Sequence, residues 1–167
     1  MKKLFLISIA LSLVCASYAQ TEFSVPTPTL EQKLNTSRDI MNNYILACIN
    51  AAKSSGMTVE EFGMKCGEAF IPAWDKNTGF DQIVNFTLNY WTFLVDDVQI
   101  IEQSNEKVVI TIPHLDPRLE EQGVLFGVSL EDFITYSNTV SKKTFGHFDV
   151  GSEMTRGEEG YRIEITK

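Results

Sequence analysis

The chain has 167 residues, with 14 lysines and arginines against 22 aspartates and glutamates and a formal net charge of −8. A phosphate backbone repels such a surface, and no Lys/Arg cluster or interleaving of basic and aromatic residues overrides the average, so no nucleic acid is expected as a partner. Solubility is the plain account of the acidity.

Lys2 and Lys3 precede an apolar run from Leu4 to Val14 and then Ser17-Tyr18-Ala19-Gln20. This is the pattern of a secretory signal, with cleavage expected after Ala19. Two alternatives stand beside it. An uncleaved anchor would need a run of roughly 20 apolar residues, and this one is shorter. Lipid attachment at Cys15 would need a small residue before it, where the chain has Val14. Cleavage takes residues 1–19 away, leaves 148 residues and, by removing Lys2 and Lys3, moves the formal charge from −8 to −10. That is one domain's worth of chain, exported to a periplasmic or extracellular location, with no transmembrane segment after cleavage.

Residues 20–28 carry Pro26 and Pro28 and read as a flexible leader. A single α+β domain is expected over 29–167. Thr29 and Gln32 take capping-box positions for a first helix over Leu30 to Ser54, with Gly56 past its end and an apolar stripe of Leu30, Leu34, Met41, Tyr44, Ile45, Cys48 and Ala52. Thr58 and Glu61 open a second helix with Val59, Phe62, Cys66, Ala69 and Phe70 on one side, and Pro72 stops or bends it. Together these helices are expected to form a hairpin.

The turn 75–79 leads into the most apolar stretch, residues 80–95. Its polar positions 82, 85, 89 and 92 form one thin strip at helical spacing, which predicts a central helix covered on most sides. A half-buried strand over Val84 to Tyr90 is the competing reading. Val98-Gln99-Ile100 and Lys107 to Ile112 read as a hairpin through Ser104-Asn105. Asp116, Pro117 and Glu120 open a short helix that Gly123 closes, and Ser129 caps a longer one. A last hairpin is expected to pair about 145–154 with 161–166, its alternation leaving one wet face. Helices first and antiparallel pairs later make an α+β layout: a helical hairpin and a central helix packed on an antiparallel sheet of two hairpins.

Cys48 and Cys66 lie at matching heights on the expected helical hairpin, roughly 10 Å from its turn at 1.5 Å per residue. A disulfide between them is the leading expectation in an oxidising compartment and would contribute about 3 kcal/mol. Inert buried thiols and a reactive cysteine are the alternatives. Both histidines occur as His-x-Asp, in His114-Leu115-Asp116 and His147-Phe148-Asp149. On a strand, positions two apart share a face, so these four are candidates for acid/base work or for a metal. Against a metal, Asp116 already caps a helix and His147 points to solvent if Phe148 and Val150 are buried. Glycine-rich phosphate loops, Gly-x-Ser-x-Gly and His-Glu-x-x-His are all missing from the sequence, and no cofactor is called for. The adjacent acidic pairs read as solvated ends and turns. Trp74, Phe86, Tyr90 and Phe93 are either core or the wall of a ligand pocket.

The order of elements from about residue 80 onward resembles the L-2-amino-thiazoline-4-carboxylic acid hydrolase family. The matching features are the hairpin ending in Ile112-Pro113, Val128-Ser129-Leu130-Glu131 opening a helix, and Gly157-Glu158-Glu159-Gly160-Tyr161-Arg162-Ile163. The resemblance covers roughly the last 90 residues. It implies the family's fold, kinship with vinyl-reductase-type small-molecule-binding domains, and a pocket between helices and sheet. The family's cysteines fall where this chain has Ile112, Val128 and Tyr161, so hydrolytic ring opening does not carry over.

Two functions from different classes follow. One is an exported domain that binds a small, partly apolar molecule beside the central helix. The other is a hydrolase of a small heterocycle or amide, with water activated by a group such as Asp116 or His147. An aromatic cavity without converging titratable groups distinguishes the first, and His114, His147 and a carboxylate in one cleft the second. A surface-assembly subunit is a third possibility, hinted at only by the proline-bearing leader.

Overall fold

The computed structural model describes residues 27–167, so the expected signal segment, Cys15 and most of the leader lie outside the described residues. Residues 34–167 form one compact unit. Of the residues before it, Thr29 and Gln32 close the expected capping box, Gln32 N donating to Thr29 Oγ1 at 3.1 Å and Thr29 N to Gln32 Oε1 at 2.9 Å. The helices are α1 (Leu30–Ser54), α2 (Val59–Phe70) with a 3-10 turn at Ile71–Ala73, α3 (Phe80–Leu94), α4 (Pro117–Gln122) and α5 (Leu130–Gly146). The strands are β1 (Gln99–Gln103), β2 (Lys107–Ile112), a short pair β3 (Val124–Leu125) and β4 (Val128–Ser129), then β5 (Gly151–Gly157) and β6 (Gly160–Thr166). The main sheet is antiparallel in the order β1-β2-β6-β5, two hairpins joined by the β2–β6 pairing. This is the expected α+β architecture.

Alternation sets which face of the sheet is covered. Val108, Ile110 and Ile112 of β2 and Tyr161, Ile163 and Ile165 of β6 turn into the core, while on the other face Arg162 is exposed, Lys107, Thr111 and Glu164 are half-buried and Val109 is buried. A charged ladder runs over the wet face, Lys107 Nζ lying 3.2 Å from Glu102 and 3.5 Å from Glu164. At the β5 edge, Asn138 of α5 clamps the strand: its amide donates to Met154 O at 2.9 Å and accepts from Met154 N at 2.7 Å. Backbone groups that would otherwise offer themselves to another strand are thereby occupied.

α3 is a helix, and its polar positions 82, 85, 89 and 92 are all exposed. The buried side is Phe80, Ile83, Val84, Thr87, Trp91 and Leu94. Thr87 is tolerated there because its hydroxyl donates to Ile83 O at 2.8 Å.

Three expectations are corrected. In α1 the buried residues are Asn42, Leu46 and Ile49, and Tyr44 stands 72% exposed. The expected stripe through Met41, Ile45 and Cys48 is thus one position off, about 100° around a helix, because buried Asn42 reads as polar and pulled the apparent face round. Second, α2 packs most closely on α5 rather than pairing with α1 as a tight hairpin. Gly63 and Gly67 make this possible: a Cβ on Gly67 would stand 2.7 Å from Lys143 Cβ, and one on Gly63 2.8 Å from Thr139 Cβ. Third, the last hairpin begins at Gly151, not near 145, since α5 runs on to Gly146 and Asp149 turns the chain at φ 59°.

Candidate functional site

Three pieces of chain surround a cleft of about 230 Å³: the first half of α1, the end of α3, and the loop from β2 into α4. The loop, Pro113 to Pro117, is held at several points. Gly160, at φ 129°, lets β6 pass so close to its start that a Cβ would collide with Ile112 O. Leu115 is buried and its N–H donates to Glu120 Oε1 at 2.8 Å. Asp116 is the N-cap of α4, accepting from Arg118 N at 2.9 Å and Leu119 N at 3.3 Å, with Pro117 in the first turn. His114 is therefore presented to the cleft on a short backbone fixed at both ends.

α1 contributes Asn35, Arg38, Asp39 and Asn42, which at spacings of three and four share one helix face. Arg38 closes the end of α3. Its guanidinium donates to the carbonyls of Phe93 and Thr92, the latter at 3.2 Å, and to Asp96 Oδ1 at 3.1 Å. A cation on the last carbonyls of a helix meets the negative end of its dipole.

Arg118 is engaged as well. It donates through Nε to Asp116 Oδ1 at 3.2 Å and through Nη2 to Asp116 Oδ2 at 2.8 Å, and Nη2 lies 3.8 Å from Asp39 Oδ1. Burial pushes the Asp116 carboxyl up, but the Arg118 hydrogen bond and charge and the two backbone N–H groups outweigh it and hold it below the ordinary carboxylate value. Both arginines thus spend their charge on the protein. The carboxylates paired with them at the mouth, Asp96 with Arg38 at 3.1 Å and Asp39 with Arg118 at 3.8 Å, have side chains 79% and 64% exposed. Asn42 is only 6% exposed and its Oδ1 has no hydrogen-bond partner.

Of the four acid/base candidates, the structure brings together His114 and Asp116. His147 and Asp149 lie beyond α5, both exposed, with His147 edge-on to Phe148 at 5.1 Å. They are not on a strand, which undoes the shared face expected of them. Among the described residues, no three His, Cys, Asp or Glu side chains are grouped to hold a metal.

Trp74, Phe86 and Tyr90 do meet. Trp74 packs edge-on to Phe86 at 4.8 Å and to Phe145 at 5.8 Å, and Phe86 stacks over Tyr90 at 6.2 Å. These rings pack against one another, and Phe86 remains 47% exposed. Phe93 contributes to the site through its carbonyl, as the acceptor for Arg38.

The expected disulfide is not formed: Cys48 and Cys66 are free thiols, both half-buried. Cys66 lies near Cys48 and also meets Tyr136 of α5. Burial first, and then the nearby Cys48 charge, push its thiol up against the Tyr136 hydrogen bond. Such a thiol is a poor nucleophile. Burial pushes the Tyr90 phenol up to about 12.

Arg38, Asp39 and Asn42 were not singled out by the sequence reading. Their signal was available as a polar stripe at helical spacing, 35-38-39-42, set into a helix that turns apolar from Ile45 onward. In a comparison with known proteins, no family model matches the chain and no curated protein matches it.

Proposed function

We propose that the protein is an exported small-molecule-binding domain whose ligand sits in the cleft between α1, the end of α3 and the β2–α4 loop. Lys2, Lys3, the apolar run and Ala19 support export. The observation that carries the binding site is Asn42, a buried amide lining a cleft with its carbonyl oxygen unmatched. Such a group costs about 1–3 kcal/mol, which a ligand that drew the amide round into the cleft would recover.

The hydrolase reading has less support. His114 and Asp116 share the cleft, but Asp116 is bound on four sides and held ionised, which makes it a weak base. The resemblance to the L-2-amino-thiazoline-4-carboxylic acid hydrolase family points the same way. At the positions of that family's cysteines, Ile112 and Tyr161 face each other across β2–β6, and both are buried, as is Val128. Tyr161 Oη is buried beside Glu120, and burial and then that charge push its phenol up to about 12.

Native mass spectrometry of protein purified from its own host tests the proposal. A retained small molecule is expected, and it should be lost from the His114→Ala variant. Retention unaffected by substitutions in the cleft would place the ligand elsewhere and overturn the reading.

A further inference from the structure

α1 has a second face that the cleft does not use. On one side Asn42, Leu46 and Ile49 are buried, and Arg38, Asp39 and Asn42 line the cleft. At about 100° per residue, the opposite side is marked by Ile40, Tyr44, Ala47 and Ala51, at spacings of four, three and four. From Ile40 to Ala52 the helix has no charged residue, and the side chains exposed in this stretch are Ile40, Met41, Tyr44, Ala47 and Ala51, with Ile40 at 63%. The solvent face of a surface helix ordinarily carries charged and polar groups. A contiguous apolar stripe in their place marks a contact surface.

Two properties of the stripe say what covers it. It is uncharged, so a charged partner surface would lose its hydration against it without compensation, whereas a second copy presents the same neutral face. It is also graded in size, with Ile40, Met41 and Tyr44 towards its start and Ala47 and Ala51 towards its end. We propose that α1 pairs antiparallel with α1 of a second copy of this chain about a two-fold axis, Tyr44 lying over the partner's Ala47 and Ile40 over the partner's Ala51. Each contact then sets a large side chain above a small one, and the same contact recurs across the axis, as an isologous interface requires. A parallel pairing would set Tyr44 against the partner's Tyr44 and hold the alanines apart. The cleft, on the far side of α1, stays open in the dimer. Tyr44 can bury roughly 150–250 Å², but the stripe as a whole falls short of the roughly 800 Å² per partner of a standard interface. The dimer therefore belongs to the weak, concentration-dependent class.

Sedimentation velocity of the folded chain from about 1 μM to about 1 mM, a range that spans weak interfaces, should show a monomer passing into a dimer. Tyr44→Glu and Ala47→Lys, both at exposed positions, should each leave the circular dichroism and the melting temperature unchanged. Each should weaken the dimer at least about a hundredfold, because it puts an unpaired charge at the centre of the contact. The double variant, Tyr44→Glu with Ala47→Lys, sets opposite charges face to face across the axis in the antiparallel pairing and should recover most of the affinity. A chain still monomeric at about 1 mM, or a dimer that neither single substitution weakens, would overturn the proposal. A dimer that both weaken and the double variant fails to restore would overturn the antiparallel pairing. Association with neutral phosphatidylcholine vesicles that Ala47→Lys abolishes, in a chain that stays monomeric, would make the stripe a lipid-facing surface instead.

Discussion

Beside the middle of α3, Trp74, Phe86, Phe145 and Phe148 meet ring on ring, whereas at its end Arg38, Asp96, Asp116 and Arg118 surround an open cleft with carboxylates and an unmatched amide. Both regions concentrate residues that a sequence reading notices. The aromatic one is self-sufficient, since each ring gains its contacts from another ring. In the polar one, the arginines are satisfied internally while Asn42 is not. An excess of apolar side chains is therefore weak evidence for a ligand in this chain, and a buried polar group left without its partner is stronger evidence.

The largest expected effect tests whether α3 is held by its buried side. Trp91 is 6% exposed among Ile83, Val84 and Leu94, and Trp91→Ala should lower stability by about 3–5 kcal/mol in urea unfolding, through the cavity it leaves. A loss under about 1 kcal/mol would mean that neighbours collapse into the space and that α3 is no rigid wall for the cleft. Next is the close approach of α2 to α5. Gly67→Ala gains about 1 kcal/mol of helix propensity, but its Cβ would press on Lys143 Cβ at 2.7 Å and on the Val140 carbonyl at 3.0 Å. The net expectation is destabilisation of about 1–3 kcal/mol. A more stable variant would show that the two helices can part without loss.

On the polar side, Asp116→Ala should cost about 1–2 kcal/mol at neutral pH, as expected for removing a helix cap. Its pH dependence separates the charge from the cap. The folded carboxyl lies below its ordinary value, so its contribution is present above the unfolded value of about 3.9 and is lost as pH falls through the folded one. The gap between the wild-type and variant stabilities should therefore narrow as the pH drops below about 4. A gap that stays constant into acid would mean that the Arg118 pair contributes nothing beyond the cap.

The order and kind of the main elements were legible because local signals were strong: Thr58 with Glu61, Asp116 before Pro117, Ser129 with Asp132, and two glycines around the last turn all sit where the caps and turns are found. What was not legible depended on partners distant in sequence. The buried face of α1 could not be read, because it includes the polar Asn42, which lines a cleft shared with residues near 95 and 115. The pairing of α2 with α5 depended on two glycines whose meaning appears only when Thr139 and Lys143 lie opposite. His114 and Asp116 were found from spacing alone, but which of the two His-Asp pairs belonged to a cleft was decided by α5 running on to Gly146, which stranded His147 and Asp149 at its far end.

The smallest expected effect is the one that sets the two regions directly against each other. Tyr90 touches the aromatic set through Phe86 and Trp91, at 6.2 and 5.2 Å, and its phenol is held neutral up to about 12 by burial. Removing the hydroxyl leaves both ring contacts in place, so Tyr90→Phe should change stability by less than about 1 kcal/mol in either direction. If the ligand sits in the polar cleft, the same substitution should leave retention of the co-purified molecule unaltered, while His114→Ala abolishes it. A Tyr90→Phe variant with wild-type melting temperature and weakened ligand binding would reverse the comparison. The aromatic side of α3 would then hold the ligand through the phenol, and the unmatched Asn42 would be a defect of the core.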